Sequence, residues 1–345
     1  MALPEAVGEV AAGSGDIAWV TAGQDGFLPL GFPIPSMSIE DQVIGSAFAI
    51  CAGMFFMVAV PWYVLRYVSR DGMGRKQTPP LPRGRVPIKG FGLIDILGVS
   101  VFFAFYAVPW YLSSSVEEPR ELGEPGELSA ALILGLIVQA LQVGMVFMLL
   151  FRRVNPMEAF GLWGRVDWRR VAVAPVAVVI MWAFTLCLEG VVALLNDGKG
   201  YTEWIGQFVE CDGKQEIITL FETSSDPLVL VLMVVVACVG APLAEEVIFR
   251  GYIYGAAKRF AGIPLAVVFS GLLFGAVHMN LAALLPLTIL GIILALAYEY
   301  TGSLWGPIAI HFFFNAVTVV IQLIFKFNPH LLEELEKNAG FILPW

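Results

Sequence analysis

The chain has 345 residues, of which 58% are hydrophobic and only 14% are charged, and its mean hydropathy is +0.78. A soluble domain of this composition would expose more apolar surface than such domains tolerate, so the composition predicts a polytopic membrane protein. The formal net charge of -9 disfavours nucleic acid as a partner, because nucleic-acid binding needs basic patches that neutralise phosphates.

Residues 1–42 are rich in Gly, Pro and small side chains and contain no basic segment followed by an apolar core. This pattern differs from that of a cleaved signal peptide. We therefore expect a mobile extracytoplasmic tail. Further along the chain we expect N-terminal transmembrane helices and loops over 43–220, a core that carries the functional motifs over 221–325, and a polar C-terminal tail over 326–345.

Apolar runs of roughly 20 residues are long enough to cross a bilayer as helices. They predict an all-α membrane helix bundle with about eight transmembrane helices. The predicted spans lie near residues 43–65, 91–113, 129–151, 171–195, 228–249, 263–279, 284–298 and 304–325.

The basic residues predict the orientation of these spans. The segment 66–90 contains seven Lys and Arg residues, whereas no basic residue precedes Arg66, so the positive-inside rule places this loop in the cytoplasm. Alternation then places two later basic loops, near 152–170 and 250–259, on the same side. The N-terminus is expected outside, in an integral multi-pass membrane protein.

Three short polar patterns interrupt the apolar stretches of the second half of the chain. Because ionisable side chains are costly in hydrocarbon, such a cluster predicts a functional site. The chain has only three histidines, and two of them lie in these patterns. The patterns are Glu245-Glu246-x-x-x-Arg250, Phe274-x-x-x-His278 and His311-x-x-x-Asn315.

The two adjacent glutamates point in different directions on a helix. Glu246 and Arg250 are four residues apart and can form an ion pair on one face, while Glu245 is turned about 100° away. An unpaired, desolvated carboxylate is suited to act as a general base. The alternative is that all three side chains reach out to the membrane boundary, where their charges remain hydrated.

A turn is expected at Ala261-Gly262, just before Pro264 and midway between Glu245 and His278. An antiparallel hairpin around this turn would bring Glu245 and His278 to the same depth. The tip of the hairpin, residues 252–259, should then project into the cytoplasm. The alternative is a histidine that only makes hydrogen bonds between helices.

His311 can reach that depth if the intervening helix is short. A helix of about 14 or 15 residues would suffice, compared with roughly 20 for a full span. The segment 284–298 matches this length and predicts a short helix near the active site. A half-length helix flanked by polar groups suggests a cavity that water can enter.

These side chains are suited to peptide-bond hydrolysis without a covalent intermediate. We expect Glu245 to activate a water, His278 to hold it, and His311 with Asn315 to donate hydrogen bonds to the oxyanion. A zinc ion held by Glu245, His278 and His311 is the alternative. Because the sequence contains no His-Glu-x-x-His pattern, a mechanism without a metal cofactor is favoured, with Glu246, Arg250 and Phe274 as structural support.

The three motifs, in this order, resemble the signature of the CPBP intramembrane endopeptidases. That group includes the type II CaaX prenyl proteases, the bacterial Abi proteins and the lysostaphin-resistance-like proteins. The resemblance covers roughly residues 225–325 and implies an eight-helix-type membrane fold and a glutamate-dependent protease, with Glu245 as the catalytic carboxylate. Older descriptions of the family as metalloproteases leave zinc as the alternative.

Three functions follow as hypotheses. The first is an endopeptidase that cleaves a protein or peptide substrate in the lipid bilayer, either the C-terminus of a prenylated protein or a peptide precursor. The second is a non-catalytic membrane immunity or binding protein with the same fold. The third is a proton-coupled transporter, because intramembrane Glu and His can relay protons.

Polar residues in the other predicted spans are expected to make hydrogen bonds between helices and not to contact substrate. These residues are Asp95, Gln139, Gln142 and Glu189. His330 lies in the polar tail and is expected to be solvated.

Overall fold

The computed structural model describes residues 38–68, 84–113, 125–163, 168–207 and 224–331, and these residues form helices and no strands. They belong to one compact unit. In chain order the helices are α1 (Ile39–Val68), α2 (Leu93–Ser113), α3 (Pro125–Leu150), α4 (Pro156–Ala159), α5 (Trp168–Val171), α6 (Val173–Leu195), α7 (Tyr201–Gly206), α8 (Pro227–Val235), α9 (Ala241–Glu245), α10 (Gly255–Ala276), α11 (Leu281–Thr301) and α12 (Trp305–Phe327). Two π-helical segments, Val236–Gly240 and Glu246–Tyr254, connect α8, α9 and α10 into one helical run.

Seven helices of the described chain are long and apolar enough to cross a membrane. Six of them are α1, α2, α3, α6, α11 and α12, and the seventh is the 50-residue run Pro227–Ala276. The chain is therefore an integral, multi-pass helical membrane protein, as its composition predicts. Which side of the membrane each loop occupies stays a prediction.

The run Pro227–Ala276 contains the fifth and sixth predicted spans. Gly262 interrupts it with a φ of 77° and a ψ of 178°, a conformation that a residue with a Cβ rarely adopts. The turn therefore lies where the sequence predicts it, just before Pro264. Counting this hairpin as two segments reconciles seven helical runs with eight predicted spans.

The prediction of a short helix at 284–298 is wrong. Helix α11 extends from Leu281 to Thr301, 21 residues, which is the length of a complete span. Asn280 caps its first turn by accepting a hydrogen bond from the backbone N–H of Ala283 at 2.7 Å, and Gly302 ends it in the left-handed conformation. These caps add a turn of helix beyond each end of the strongly apolar segment.

Helices α10 and α11 pack closely because glycines line their contact. A Cβ on Gly271 would lie 3.0 Å from the backbone oxygen of Thr288, and one on Gly275 would lie 2.7 Å from that of Leu284. On the opposite helix, a Cβ on Gly291 would lie 2.8 Å from the Cα of Gly271. Small residues allow such close approach between membrane helices, and here they hold the hairpin against α11.

The tip of the hairpin is buried in the protein, contrary to the prediction that residues 252–259 project into the cytoplasm. Lys258 is fully buried, and its ammonium donates to Glu299 on α11 at 2.7 Å and to the backbone oxygen of Val86 at 3.0 Å. The Tyr254 hydroxyl donates to the same Glu299 carboxylate at 2.8 Å. Residues from the segment before α2 thus cover a tip that the sequence presents as a polar turn.

A second buried carboxylate, Asp95 at the start of α2, ties three segments together. It accepts two hydrogen bonds of 2.8 Å from Arg153 and one of 3.1 Å from the Tyr252 hydroxyl. The hydrogen bonds that Arg153 donates to Asp95 raise the pKa of Arg153, which lies in the loop after α3. The prediction that Asp95 bonds between helices is confirmed.

The predicted terminal segments lie partly outside the described residues. Helix α1 begins at Ile39, so the last residues assigned to the tail are helical, whereas residues 1–37 are not described. The predicted boundary at 220/221 also lies outside the described residues. His330 is exposed, as expected for a solvated residue.

Candidate active site

The hairpin brings its two halves together at the level of Arg250 and Phe274, which lie equally far along the chain from Gly262 on either side. The guanidinium carbon of Arg250 lies 4.3 Å from the centre of the Phe274 ring. This is a cation–π contact, and both side chains are fully buried. The sequence prediction that Glu245 and His278 share a depth follows from the same symmetry, and both line one cavity.

The helix that carries the glutamates widens just before them. Pro242 lacks an N–H, and its ring crowds the carbonyl of the preceding turn. This accounts for the π-helical turn Val236–Gly240, in which the N–H of Ala241 bonds to the oxygen of Val236. π-turns inside α-helices are frequent at functional sites.

Glu246 and Arg250 form the predicted ion pair. Glu246 Oε1 accepts a hydrogen bond of 2.8 Å from Arg250 Nη1, and both side chains are completely buried. Arg250 Nη2 donates to the backbone oxygen of Gly291 on α11 at 3.2 Å. The pair therefore fixes the glutamate-bearing helix against α11 at the depth of the site.

His311 on α12 contacts the glutamates directly, which the motif spacing did not predict. Its Nδ1 lies 3.0 Å from Glu246 Oε1, and its Nε2 lies 4.0 Å from Glu245 Oε2. When the Nδ1–H donates to Glu246, Nε2 faces Glu245. One imidazole thus connects the paired carboxylate to the neighbouring one.

Glu245 differs from Glu246 in its surroundings. Its side chain is 19% exposed, and no hydrogen-bond donor in the described residues reaches its Oε2. The Arg250 guanidinium bonds to Glu246, whereas Glu245 has only the more distant His311 Nε2, at 4.0 Å, as a potential ion-pair partner among the described residues. The division between a paired and an unpaired carboxylate is as the helix geometry predicted.

The Phe274 ring contacts both imidazoles. Its ring centre is 5.0 Å from that of His278 and 5.6 Å from that of His311, both in edge-to-face arrangements. His278 Nδ1 lies 2.7 Å from the backbone oxygen of Phe274. Because a carbonyl can only accept, His278 Nδ1 carries the proton and its Nε2 is free to accept a hydrogen bond.

Asn315 lies one turn beyond His311 on α12 and borders the same cavity. Its Nδ2 donates to the backbone oxygen of Ala237 at 2.7 Å, in the π-turn before the glutamates. An amide nitrogen has two hydrogens, so one donor of Asn315 remains for another acceptor. The contact also joins α12 to the helix that carries Glu245.

A cavity of about 280 Å³ joins the four residues predicted to be catalytic, Glu245, His278, His311 and Asn315. Apolar side chains from α11 and α12 form much of the rest of its wall, including Leu287, Leu290 and Val319. Polar groups converging in an otherwise apolar cavity are typical of ligand and active sites.

The described residues contain no group of three or more His, Cys, Asp and Glu side chains placed to hold a metal ion. Glu245, His278 and His311 border one cavity, and the Phe274 ring contacts both imidazoles. The choice between a metal-free mechanism and a zinc mechanism stays a prediction.

The polar residues of the N-terminal half have different environments. Gln142 donates to the Tyr106 hydroxyl of α2 at 3.3 Å, and Glu189 accepts from the backbone N–H and hydroxyl of Thr202, so both make the predicted contacts between helices. The prediction that Gln139 makes a hydrogen bond between helices is wrong. This residue lines the cavity, and its Oε1 has no donor among the described residues.

The fold and the site define a polytopic helical membrane protein with a carboxylate, imidazole and carboxamide cluster inside its bundle. Residues 227–317 match the family model described as type II CAAX prenyl endopeptidase Rce1-like. This segment, which contains all three motifs, is thus similar to the membrane endopeptidases that the motifs resemble.

Two bacterial proteins are similar to part of the chain. YdiL of Bacillus subtilis (strain 168), named as a membrane peptidase, is 30% identical over 153 residues, which are 43% of this chain and 58% of YdiL. The membrane-embedded CAAX protease MroQ of Staphylococcus aureus (strain USA300) is 33% identical over 107 residues, 29% of this chain and 42% of MroQ. The chain thus spans less than two thirds of either relative. No solved structure matches it.

Replacing Arg250 by Met should destabilise the protein strongly, because Glu246 would keep its buried charge without its guanidinium partner. Breaking one half of a buried pair costs about 3–5 kcal/mol. The double variant Glu246→Gln/Arg250→Met should recover much of that loss, since it removes both charges. Thermal unfolding in detergent checks this, with exposed Arg152→Met as control. Equal stability of Arg250→Met and wild type would contradict the assignment.

Proposed function

We propose that this protein is an intramembrane endopeptidase that hydrolyses a peptide bond with a water activated by Glu245. The observation that carries the proposal is the unpaired Glu245 carboxylate, which borders a cavity together with two imidazoles and a carboxamide. A buried acceptor without a donor is costly, and a water in the cavity would satisfy it.

In the proposed reaction the water lies between Glu245 and His278. It donates one hydrogen bond to the Glu245 carboxylate and one to His278 Nε2, which the bond from His278 Nδ1 to the Phe274 carbonyl leaves as an acceptor. Glu245 takes the proton as the water oxygen bonds to the scissile carbonyl carbon. Glu245 Oε2 and His311 Nε2 are 4.0 Å apart, so a substrate or water oxygen placed beside them can lie within hydrogen-bonding distance of both.

The developing oxyanion would be stabilised from α12. His311, protonated at both nitrogens, would donate from Nε2 while its Nδ1–H bonds to Glu246, and Asn315 would donate its second amide hydrogen. When the carbon–nitrogen bond breaks, Glu245 returns the proton to the leaving amine. Water is consumed, and a carboxylic acid and an amine are released, with the second water proton remaining on the carboxyl group.

Glu246 and Arg250 would act through His311. The ion pair fixes the Glu246 oxygen that accepts from His311 Nδ1, and this orients Nε2 towards the cavity. We therefore propose Glu246 and Arg250 as positioning residues.

The substrate class rests on the relatives. A peptide substrate and a lipid environment fit a member of this family, and the names of the family model and of MroQ refer to CAAX processing. A prenylated C-terminus and a peptide precursor both satisfy the proposed chemistry. The apolar cavity wall would bind uncharged side chains next to the scissile bond.

Glu245→Gln should lower cleavage by about 10²–10⁴-fold, the usual contribution of a general base, and His278→Ala should also lose activity. Both variants should remain folded. The assay is turnover of a peptide library that includes farnesylated CaaX peptides by the purified protein in liposomes. The control is Glu127→Gln, at an exposed carboxylate on α3. Unchanged turnover by Glu245→Gln would remove the proposed base, and binding of the peptides by wild type without cleavage would favour the immunity or binding hypothesis.

Chelators should leave the wild-type enzyme active, because the proposed proton transfers use side chains of the protein. The experiment compares turnover before and after prolonged treatment with 1,10-phenanthroline, followed by addition of zinc. Loss of activity that zinc restores would overturn the metal-free mechanism. The inactive isomer 1,7-phenanthroline controls for effects on the bilayer.

A further inference from the structure

The cavity wall includes one polar residue from the N-terminal half of the chain, Gln139 on α3. This helix lies outside the segment 227–317 that matches the family model and outside all three motifs. Its neighbouring positions are apolar and exposed on the outside of the protein, such as Ile137 at 51% and Leu141 at 68%. Gln139 is the exception to this lipid-facing pattern.

A carboxamide without a hydrogen-bond partner is unusual in an apolar membrane helix. Polar side chains in membrane spans usually pair with one another or with backbone groups, as Gln142 does with the Tyr106 hydroxyl one turn away. The buried Oε1 of Gln139 has no such donor among the described residues. Leaving a buried acceptor unpaired costs free energy, which a bound ligand with a donor would recover.

Gln139 also lies close to the helix that carries Glu245. A Cβ added to Gly240 would lie 3.5 Å from Gln139 Oε1 and 2.5 Å from a Leu136 methyl group, so α3 approaches the π-turn Val236–Gly240 closely. Asn315 bonds to the same π-turn through Ala237. Two carboxamides, one from α3 and one from α12, therefore flank the turn before the catalytic glutamate.

We propose that Gln139 binds the main chain of the peptide substrate and fixes its register relative to Glu245. An extended peptide presents N–H and C=O groups alternately, and a carboxamide offers an acceptor and two donors in one plane. Oε1 accepts a backbone N–H of the substrate, and the apolar wall accommodates its side chains. This inference rests on the proposed peptidase function and assigns a binding residue to a helix that the family motifs do not include.

The main test compares Gln139→Met with Gln142→Met, which is the same substitution one turn along α3 at a residue outside the cavity wall. With an internally quenched farnesylated peptide ending in Cys-Val-Ile-Met, Gln139→Met should raise KM about 3- to 10-fold, the range for one neutral hydrogen bond, with kcat within about twofold. Gln142→Met should leave KM unchanged. A KM for Gln139→Met equal to that of wild type would overturn the inference.

A second measurement separates a hydrogen bond from a packing effect. A series of this peptide, each N-methylated at one amide, is bound to the Glu245→Gln protein, which retains the cavity without turnover. One position should lose about 3- to 10-fold in affinity, and that loss should disappear when Gln139→Met is added. An equal loss of affinity with and without Gln139→Met would overturn the inference about Gln139. It would not contradict the proposed peptidase function. If wild type neither binds nor cleaves the peptides, both the proposed function and this inference fall.

Discussion

The buried contact of Glu246 with Arg250 and His311 is the constraint on which the rest of the site depends. Two charged side chains without solvent exposure persist inside a membrane bundle only when each is paired and hydrogen bonded. The hydrogen bonds that meet this requirement connect the glutamate-bearing helix to two others. Arg250 bonds to the Gly291 carbonyl of α11, and Glu246 bonds to His311 of α12. Glu245 then remains beside this cluster, and no donor among the described residues makes a hydrogen bond to its Oε2.

The apolar frame makes that contact possible. Gly262 reverses the chain, and glycines at the contact of α10 and α11 allow the helices to approach closely enough for Arg250 to reach a backbone carbonyl. At one end of the bundle, Asp95 and Glu299 tie the hairpin to neighbouring segments through buried hydrogen bonds. The turn thus sets the depth of the site residues along the hairpin. Small residues and buried polar pairs set how closely the neighbouring helices pack.

Local spacing predicted the part of the site that depends on one helix or one hairpin. The pairing of Glu246 with Arg250 and the turn near Gly262 follow from helical periodicity and from glycine. The His311 contact and the role of Gln139 depend on how separate helices pack. In a membrane protein the lipid-facing and core-facing sides are both apolar, so periodicity does not reveal which face of α3 is buried. The length of α11 was missed because polar caps, absent from a hydropathy count, extend it.

The central claim is that the Glu245 carboxylate borders a cavity that water enters. Glu245→Cys in a cysteine-free protein, reconstituted in liposomes and treated with a small charged methanethiosulfonate, tests this most directly, because such reagents modify only hydrated thiols. We expect modification at that position and none at Leu141→Cys, on the outer face of α3. An unreactive Glu245→Cys, equal to Leu141→Cys, would contradict it.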